Sequence, residues 1–415
     1  MFNDSFHYEA GELCCDGVPL QTIAQAVGTP VYVYSATRLH YNVARLQRAF
    51  APLGAELHYS LKANANLALV RLLYRAGLGM DAVSAGEIDR ALRAGVDPAR
   101  IVFAGVGKTP AEILFALRAR IGWFNVESRD ELALLDRLAG EEEYTPQVAL
   151  RLNPGVQAQT HPHIATGHAA AKFGMPPDVV ADLLEARRAY PHLHLAGIHV
   201  HIGSQLGAVT ETVEAVRLAQ SLAAPHPDVR TLNIGGGFPV PYTPDDHYPQ
   251  PEDFAHALAP LVTGWRILVE PGRSVIADAG ALVIGVVTIK EQGGQRFVIA
   301  DGGMTDLLRP ALYGATHEVV PLEQRDGPLA PAVVGGPVCE STDVLHRAAL
   351  LPPLKAGDRL AVLTAGAYGM AMASNYNLRI RPPEVLVEGG GWRMIRRRET
   401  WDDLLRLETE ALDGA

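Results

Sequence analysis

Eight short apolar runs punctuate the first two-thirds of the chain, and each stops at a polar or glycine-rich corner. The first is Leu57-His58-Tyr59-Ser60-Leu61, closed by Lys62, and the others fall at 79–83, 101–104, 122–126, 148–152, 195–201, 231–234 and 266–269. Between them lie segments with apolar residues three or four positions apart: 66–76, 86–94, 110–119, 128–139, 209–223 and 251–263. Short bounded apolar runs are the pattern of buried strands, and the three-to-four spacing is that of helices packed on one side. Eight such alternations predict a closed (β/α)8 barrel, a fold that carries its chemistry at the C-terminal ends of the strands.

Beyond Ala281 the texture changes to ALVIGVVTIKEQ, RFVIADGG, PAVVGGPV, RLAVLTAGAYG and PEVLVEGG, with no helical alternation. Residues 1–35 share that texture, with Val31-Tyr32-Val33-Tyr34 as a strand. The pattern predicts a barrel over 36–280, inserted in a mostly antiparallel β-sandwich or β-barrel domain made of 1–35 and 281–415. The connection after the fifth strand, 153–175, is long and rich in Gly, Thr, His and Pro, and a long loop on that face of a barrel is expected to be functional.

Composition narrows the partners. A net charge of −10 lacks the clustered Lys/Arg of a nucleic-acid surface. Three cysteines, Cys14 and Cys15 adjacent, make no disulfide framework and suit a reducing compartment. The opening MFNDSFHYEAGELC is neither basic nor continuously apolar, and no run of about 18 apolar residues occurs, so the reading is a cytoplasmic protein with neither signal peptide nor membrane span.

Candidate chemistry clusters at the strand ends. Lys62 closes the first run, and a lysine in a partly dry pocket loses its charge readily and can attack a carbonyl carbon. Gly235-Gly236-Gly237 closes the seventh and offers successive N–H groups to an anion. Glu270-Pro271-Gly272-Arg273 closes the eighth, and a carboxylate there would keep a bound pyridine nitrogen protonated. Gly107-Lys108-Thr109 is not a P-loop, because Val102 stands where that motif needs glycine. His199 and His201 are read as facing opposite sides of the sixth strand, with His201 turned inward, which disfavours a metal site even with His161 and His163 added. Cys339-Glu340, outside the barrel, pairs a thiol that can give a proton with an acid.

Taken together, HYSLKANANLALV, GMDAVSAGEIDRAL, RIVFAGVGKT, LRLNPGVQAQTHPHIATG, KFGM, GIHVHIGSQ, LNIGGGFP, ILVEPGRSVIADAG, ADGGMTDLLRPALYGA, GGPVCESTDVL and GAYGMAMASNYN resemble the fold-type III pyridoxal-phosphate decarboxylases, most closely the branch acting on diaminopimelate. The resemblance spans residues 8 to about 387. It implies that Lys62 carries pyridoxal 5'-phosphate, supported by Asp81, with His201 stacked on the ring and Ser204 beside the phosphate. It places the phosphate on Gly235, Gly236, Gly237 and the backbone around Gly272, and the pyridine nitrogen on Glu270. Arg273, Arg309 and Tyr313 are implied to bind substrate carboxylates, Cys339 to protonate the product carbon, Glu340 to take the distal amino group, and Tyr368 to touch cofactor and substrate. Cys339 and Glu340 come from the partner subunit of a homodimer in this family.

The implied reaction is decarboxylation of meso-2,6-diaminopimelate to L-lysine. The alternatives are a related decarboxylase of ornithine, arginine or carboxynorspermidine, a racemase sharing the barrel, and a non-catalytic cofactor carrier. CESTD and RPALYGA favour a substrate with a second carboxylate; Glu270 with Cys339 speaks against a racemase, and the β domain against a carrier. Ser60 departs from the family, which often has alanine there.

Overall fold

The computed structural model describes residues 2–156, 166–168 and 171–413. Its chain forms two compact units, one of 42–240 and 247–275, the other of 1–41, 241–246 and 276–415.

The first unit is a closed parallel barrel of eight strands: Glu56–Ser60, Gly79–Ala82, Ile101–Phe103, Trp123–Val126, Gln147–Leu152, His194–Val200, Thr231–Asn233 and Arg266–Val269. Pairing of Leu268 with Glu56 and Val269 with Leu57 closes the ring. Val102, Trp123, Ala149, Ala196 and Leu268 pack together as an apolar plug. Side chains two residues apart on a strand share a face, so the next storey above Trp123, Ala149 and Leu268 is Asn125, Arg151 and Glu270. All three are buried. The storey that would complete an apolar core is thus polar, and it lies at the strand ends.

Helices Leu67–Arg75, Ala85–Arg93, Pro110–Arg118, Arg129–Glu141, Pro177–Glu185, Thr210–Ala223 and Pro251–Leu258 follow the strands. Several start where a short polar side chain can satisfy a free N–H of the first turn. Ser84 and Ser128 accept from the N–H groups of Glu87 and Glu131, and Thr109 forms a reciprocal capping box with Glu112. Thr109 thus has a structural post. Pro177–Glu185 was hidden in the sequence behind the long fifth connection, of which 157–165 and 169–170, including His161 and His163, lie outside the described residues.

The second unit is β-rich and mostly antiparallel. Its centre is the 13-residue strand Gly280–Gln292, which pairs with Val31–Ser35, Gln295–Ala300 and Arg359–Val362. The N-terminal strands contribute Phe6, Leu13, Cys15 and Val18 to one core with Val31, Val33, Val283, Val385 and Val387. Two features depart from the sequence reading. Residues 36–41, 241–246 and 276–280, within the range expected of the barrel, belong to this unit. A helix, Trp401–Asp413, ends the described chain, although no helical pattern was read there. Its Trp401, Leu405, Leu407 and Leu412 are exposed.

Candidate active site

Lys62 sits in the single turn Leu61–Ala63 immediately after the first barrel strand. It is exposed rather than enclosed, and its charge acts on Asp81, Glu87 and His201. Asp81, on the second strand, is buried, and its Oδ2 accepts from Ser60 Oγ at 2.7 Å. Burial and the charge of Glu270 push the Asp81 carboxyl up to about 7, against the opposing pull of Lys62 and Ser60. Ser60 Oγ also lies 3.2 Å from the carbonyl oxygen of Glu270. Ser60 therefore ties the second strand to the eighth.

Glu270 is held from both sides. Its Oε1 accepts from Asn233 Nδ2 at 2.6 Å and Asn125 Nδ2 at 3.1 Å, and its Oε2 is 3.2 Å from His199 Nε2. Burial alone would raise this carboxyl, but His199, Asn233 and His201 outweigh it and hold it well below the usual carboxylate range. Asn233 serves twice, since its Oδ1 accepts from Gly235 N at 3.0 Å. Asn125 is fixed from behind: buried Lys108 donates to its carbonyl at 2.7 Å, to Gly105 O at 2.9 Å and to Glu131 Oε1 at 2.7 Å. Neither amide was singled out by sequence reasoning. An asparagine inside a strand gives no signal of its own, and only the inward register of 125 and 233 could have pointed to them.

The two histidines do not face opposite sides. They are two residues apart, which keeps them on one face of an extended chain, and both act on Glu270. Gly236 N donates to His201 Nδ1 at 3.1 Å, so that nitrogen carries its lone pair. Burial, then the charges of Lys62 and Arg151, push the His201 imidazolium well down, which keeps the ring neutral. Among the described residues no cluster of His, Cys, Asp or Glu could hold a metal ion.

Gly235, Gly236 and Gly237 form a cradle that tolerates no side chain. A Cβ on Gly235 would lie 2.6 Å from Val200 O, one on Gly237 2.5 Å from Gly203 O, and one on Gly236 closer still to Glu270 O. Gly235 and Gly237 also have φ of +65° and +103°. Ser204 Oγ lies 3.3 Å from Arg273 Nε and 3.2 Å from its Nη2, and a Cβ on Gly272 would stand 3.0 Å from Ser60 Cβ. Bare backbone, a hydroxyl and a buried guanidinium suit a phosphate. An ionised carboxylate and a neutral imidazole suit a protonated pyridine ring. The donor set fits pyridoxal phosphate.

The other expected residues belong to the β-rich unit. Arg309 is buried and opens the short helix Arg309–Tyr313, which half-buried Tyr313 closes. Cys339 and Glu340 are exposed in the corner between strands Ala330–Gly335 and Val344–Leu351. Asp343 shapes that corner by accepting from Met304 N at 2.6 Å and Val338 N at 2.7 Å, while Asn377 Oδ1 accepts from Cys339 N at 3.1 Å. Half-buried Tyr368 has a φ of +57°, in the left-handed region. No helix among the described residues is long and apolar enough to cross a membrane.

Comparison with known proteins follows the same lines. The family model described as "Pyridoxal-dependent decarboxylase, pyridoxal binding domain" matches residues 37–277. The diaminopimelate decarboxylase of Aquifex aeolicus is 42% identical over 413 residues, covering 97% of this chain and 96% of that one. Among solved structures, the diaminopimelate decarboxylase of Helicobacter pylori complexed with L-lysine superposes with a TM-score of 0.90 at 38% identity, over 94% of this chain and 100% of the other. The enzyme of M. jannaschii in co-complex with L-lysine gives 0.92 at 36%, over 98% of both chains.

Proposed function

The chain belongs to the diaminopimelate decarboxylase family of pyridoxal-dependent decarboxylases, and from that premise we propose that it converts meso-2,6-diaminopimelate to L-lysine and CO2, the last step of lysine biosynthesis. The observation that carries the reading is the Glu270 carboxylate, kept ionised in a buried site by two amides and an imidazole. When bound, pyridoxal phosphate supplies an electron sink for the pair of electrons left as CO2 departs, provided its ring nitrogen stays protonated.

Each side chain then has a task. Lys62 holds the cofactor covalently through its amine, with Asp81 beside it. Gly235, Gly236, Gly237, Gly272, Ser204 and Arg273 would hold the phosphate, His201 would lie against the ring, and Glu270 would accept from the ring N–H. Arg273, Arg309 and Tyr313 bind the substrate carboxylates, Glu340 takes the distal ammonium, and Tyr368 touches cofactor and substrate. The Cys339 thiol gives its proton to the carbon that has lost CO2, a transfer that needs an acid fixed on one face. Cys339 and Glu340 act across a homodimer, each supplied by the partner subunit, and the enzyme works in the cytoplasm. A decarboxylase of ornithine, arginine or carboxynorspermidine is the alternative, and it gives no task to a buried arginine such as Arg309.

Purified protein loaded with pyridoxal phosphate is assayed with meso-diaminopimelate, ornithine, arginine and lysine in parallel. Lysine and CO2 from the first alone, abolished by Lys62→Ala, is the expected result. Turnover of a mono-carboxylate diamino acid instead would overturn the substrate assignment. Cofactor-loaded protein without any turnover would overturn the catalytic one.

A further inference from the structure

Arg309 is 6% exposed, an unusual setting for a guanidinium. Among its contacts are two uncharged groups. Its Nη1 is 2.7 Å from Nε2 of His317, and its Cζ lies 4.2 Å from the centroid of the Tyr242 ring. His317 is fully buried and meets the same ring edge-on, with centroids 5.1 Å apart and an interplanar angle of 78°.

The protons follow from what each atom can do. The Leu363 carbonyl, 3.0 Å from His317 Nδ1, only accepts, so Nδ1 carries the hydrogen. The guanidinium only donates, so Nε2 presents its lone pair. His317 is therefore a neutral imidazole that joins a strand-end carbonyl to Arg309. Protonated, it would set N–H against N–H at 2.7 Å.

Such a mount has a chemical consequence. A carboxylate in place of His317 would fix the arginine by cancelling its charge. An imidazole lone pair and an aromatic face orient it without themselves cancelling its charge. Tyr242 reaches this place because 241–246 belongs to the β-rich unit rather than to the barrel. We propose that His317, with Tyr242, is a positioning residue that holds Arg309 ready for the second carboxylate of the substrate and so sets selectivity for a dicarboxylate. The proposal rests on the reading of Arg309 given above.

The test uses the holoenzyme and the variants Arg309→Ala, His317→Leu, His317→Gln and Tyr242→Leu. The readouts are kcat and KM for meso-diaminopimelate and the Kd of unreactive pimelate, with hexanoate as the mono-carboxylate control. Arg309→Ala is expected to raise KM about 100-fold. His317→Leu is expected to raise KM and the pimelate Kd about 10-fold, with kcat nearly unchanged and hexanoate unaffected. His317→Gln, whose amide can accept from Arg309 and donate to the Leu363 carbonyl, should restore most of the affinity. Wild-type KM and pimelate affinity in His317→Leu, alongside a defective Arg309→Ala, overturns this proposal alone. Unchanged KM in Arg309→Ala overturns the underlying reading of Arg309. If His317→Leu does not fold, Tyr242→Leu decides: a rise in KM supports the mount, and a wild-type KM overturns it.

Discussion

The ends of the second and eighth barrel strands each carry one buried carboxylate, and the two have opposite fates. Asp81 is pushed up to about 7, while Glu270 is held below the ordinary range. Burial is the largest influence on both, and it acts in the same direction. The difference lies in the donors. Asp81 receives the hydroxyl of Ser60 and feels the charge of Lys62, whereas Glu270 gathers two amides and an imidazole. Once Glu270 is ionised, its charge further penalises ionisation of Asp81. One well-partnered carboxylate in a small dry space thus makes its neighbour a proton holder.

The strongest way to break this contrast is to remove the charge that creates it. Glu270→Gln keeps the shape and the amide contacts, and kcat/KM should fall about 1000-fold. Asp81 should then ionise at lower pH. A pH profile whose upper limb stays in place would show that the two groups are not coupled. Asn233→Asp keeps the acceptor for Gly235 N but sets a like charge against Glu270. Activity at neutral pH should drop about 10–100-fold, with the acid limb moving up, and an unmoved acid limb would count against Asn233 as the controlling donor.

Smaller effects follow on the Asp81 side. For a carboxyl raised in the folded state, the native protein holds a proton that the unfolded chain has lost, so this contribution to stability falls as pH rises from about 4 to about 7. Glu270 works in the opposite sense, losing its contribution only as pH falls below the usual carboxylate range. Melting temperatures of Asp81→Asn taken across that window should therefore change less with pH than those of the parent. Equal slopes would mean that Asp81 is not the group being titrated. Ser60→Ala should have the least effect on rate, within about threefold. It removes a hydrogen bond that favours the ionised form, so the Asp81 limb should move upward.

Much of this architecture is legible in the chain because strands and helices leave periodic traces. The eight runs are short, apolar and bounded, and the barrel strands fall on them to within a residue or two. What failed to show has physical causes. Asn125 and Asn233 act through inward register and one hydrogen bond each to Glu270, which composition does not record. The error over His199 and His201 was one of parity. Lys108 looked like a failed phosphate motif because its task, fixing the Asn125 carbonyl and Glu131, joins residues far apart in sequence. His317 and Tyr242 meet only when a six-residue return of the chain brings Tyr242 to Arg309.

Cys14 and Cys15 have no part in the chemistry, yet their burial gives the molecule a built-in counter. Cys14 and Cys15 are enclosed in the β-rich unit, while Cys339 is exposed. An alkylating reagent should consume a single equivalent per native chain and the full complement after denaturation. The ratio of the two readings reports the folded fraction of a preparation without reference to turnover. A fluorophore attached to native protein would sit at a single known address, beside Glu340.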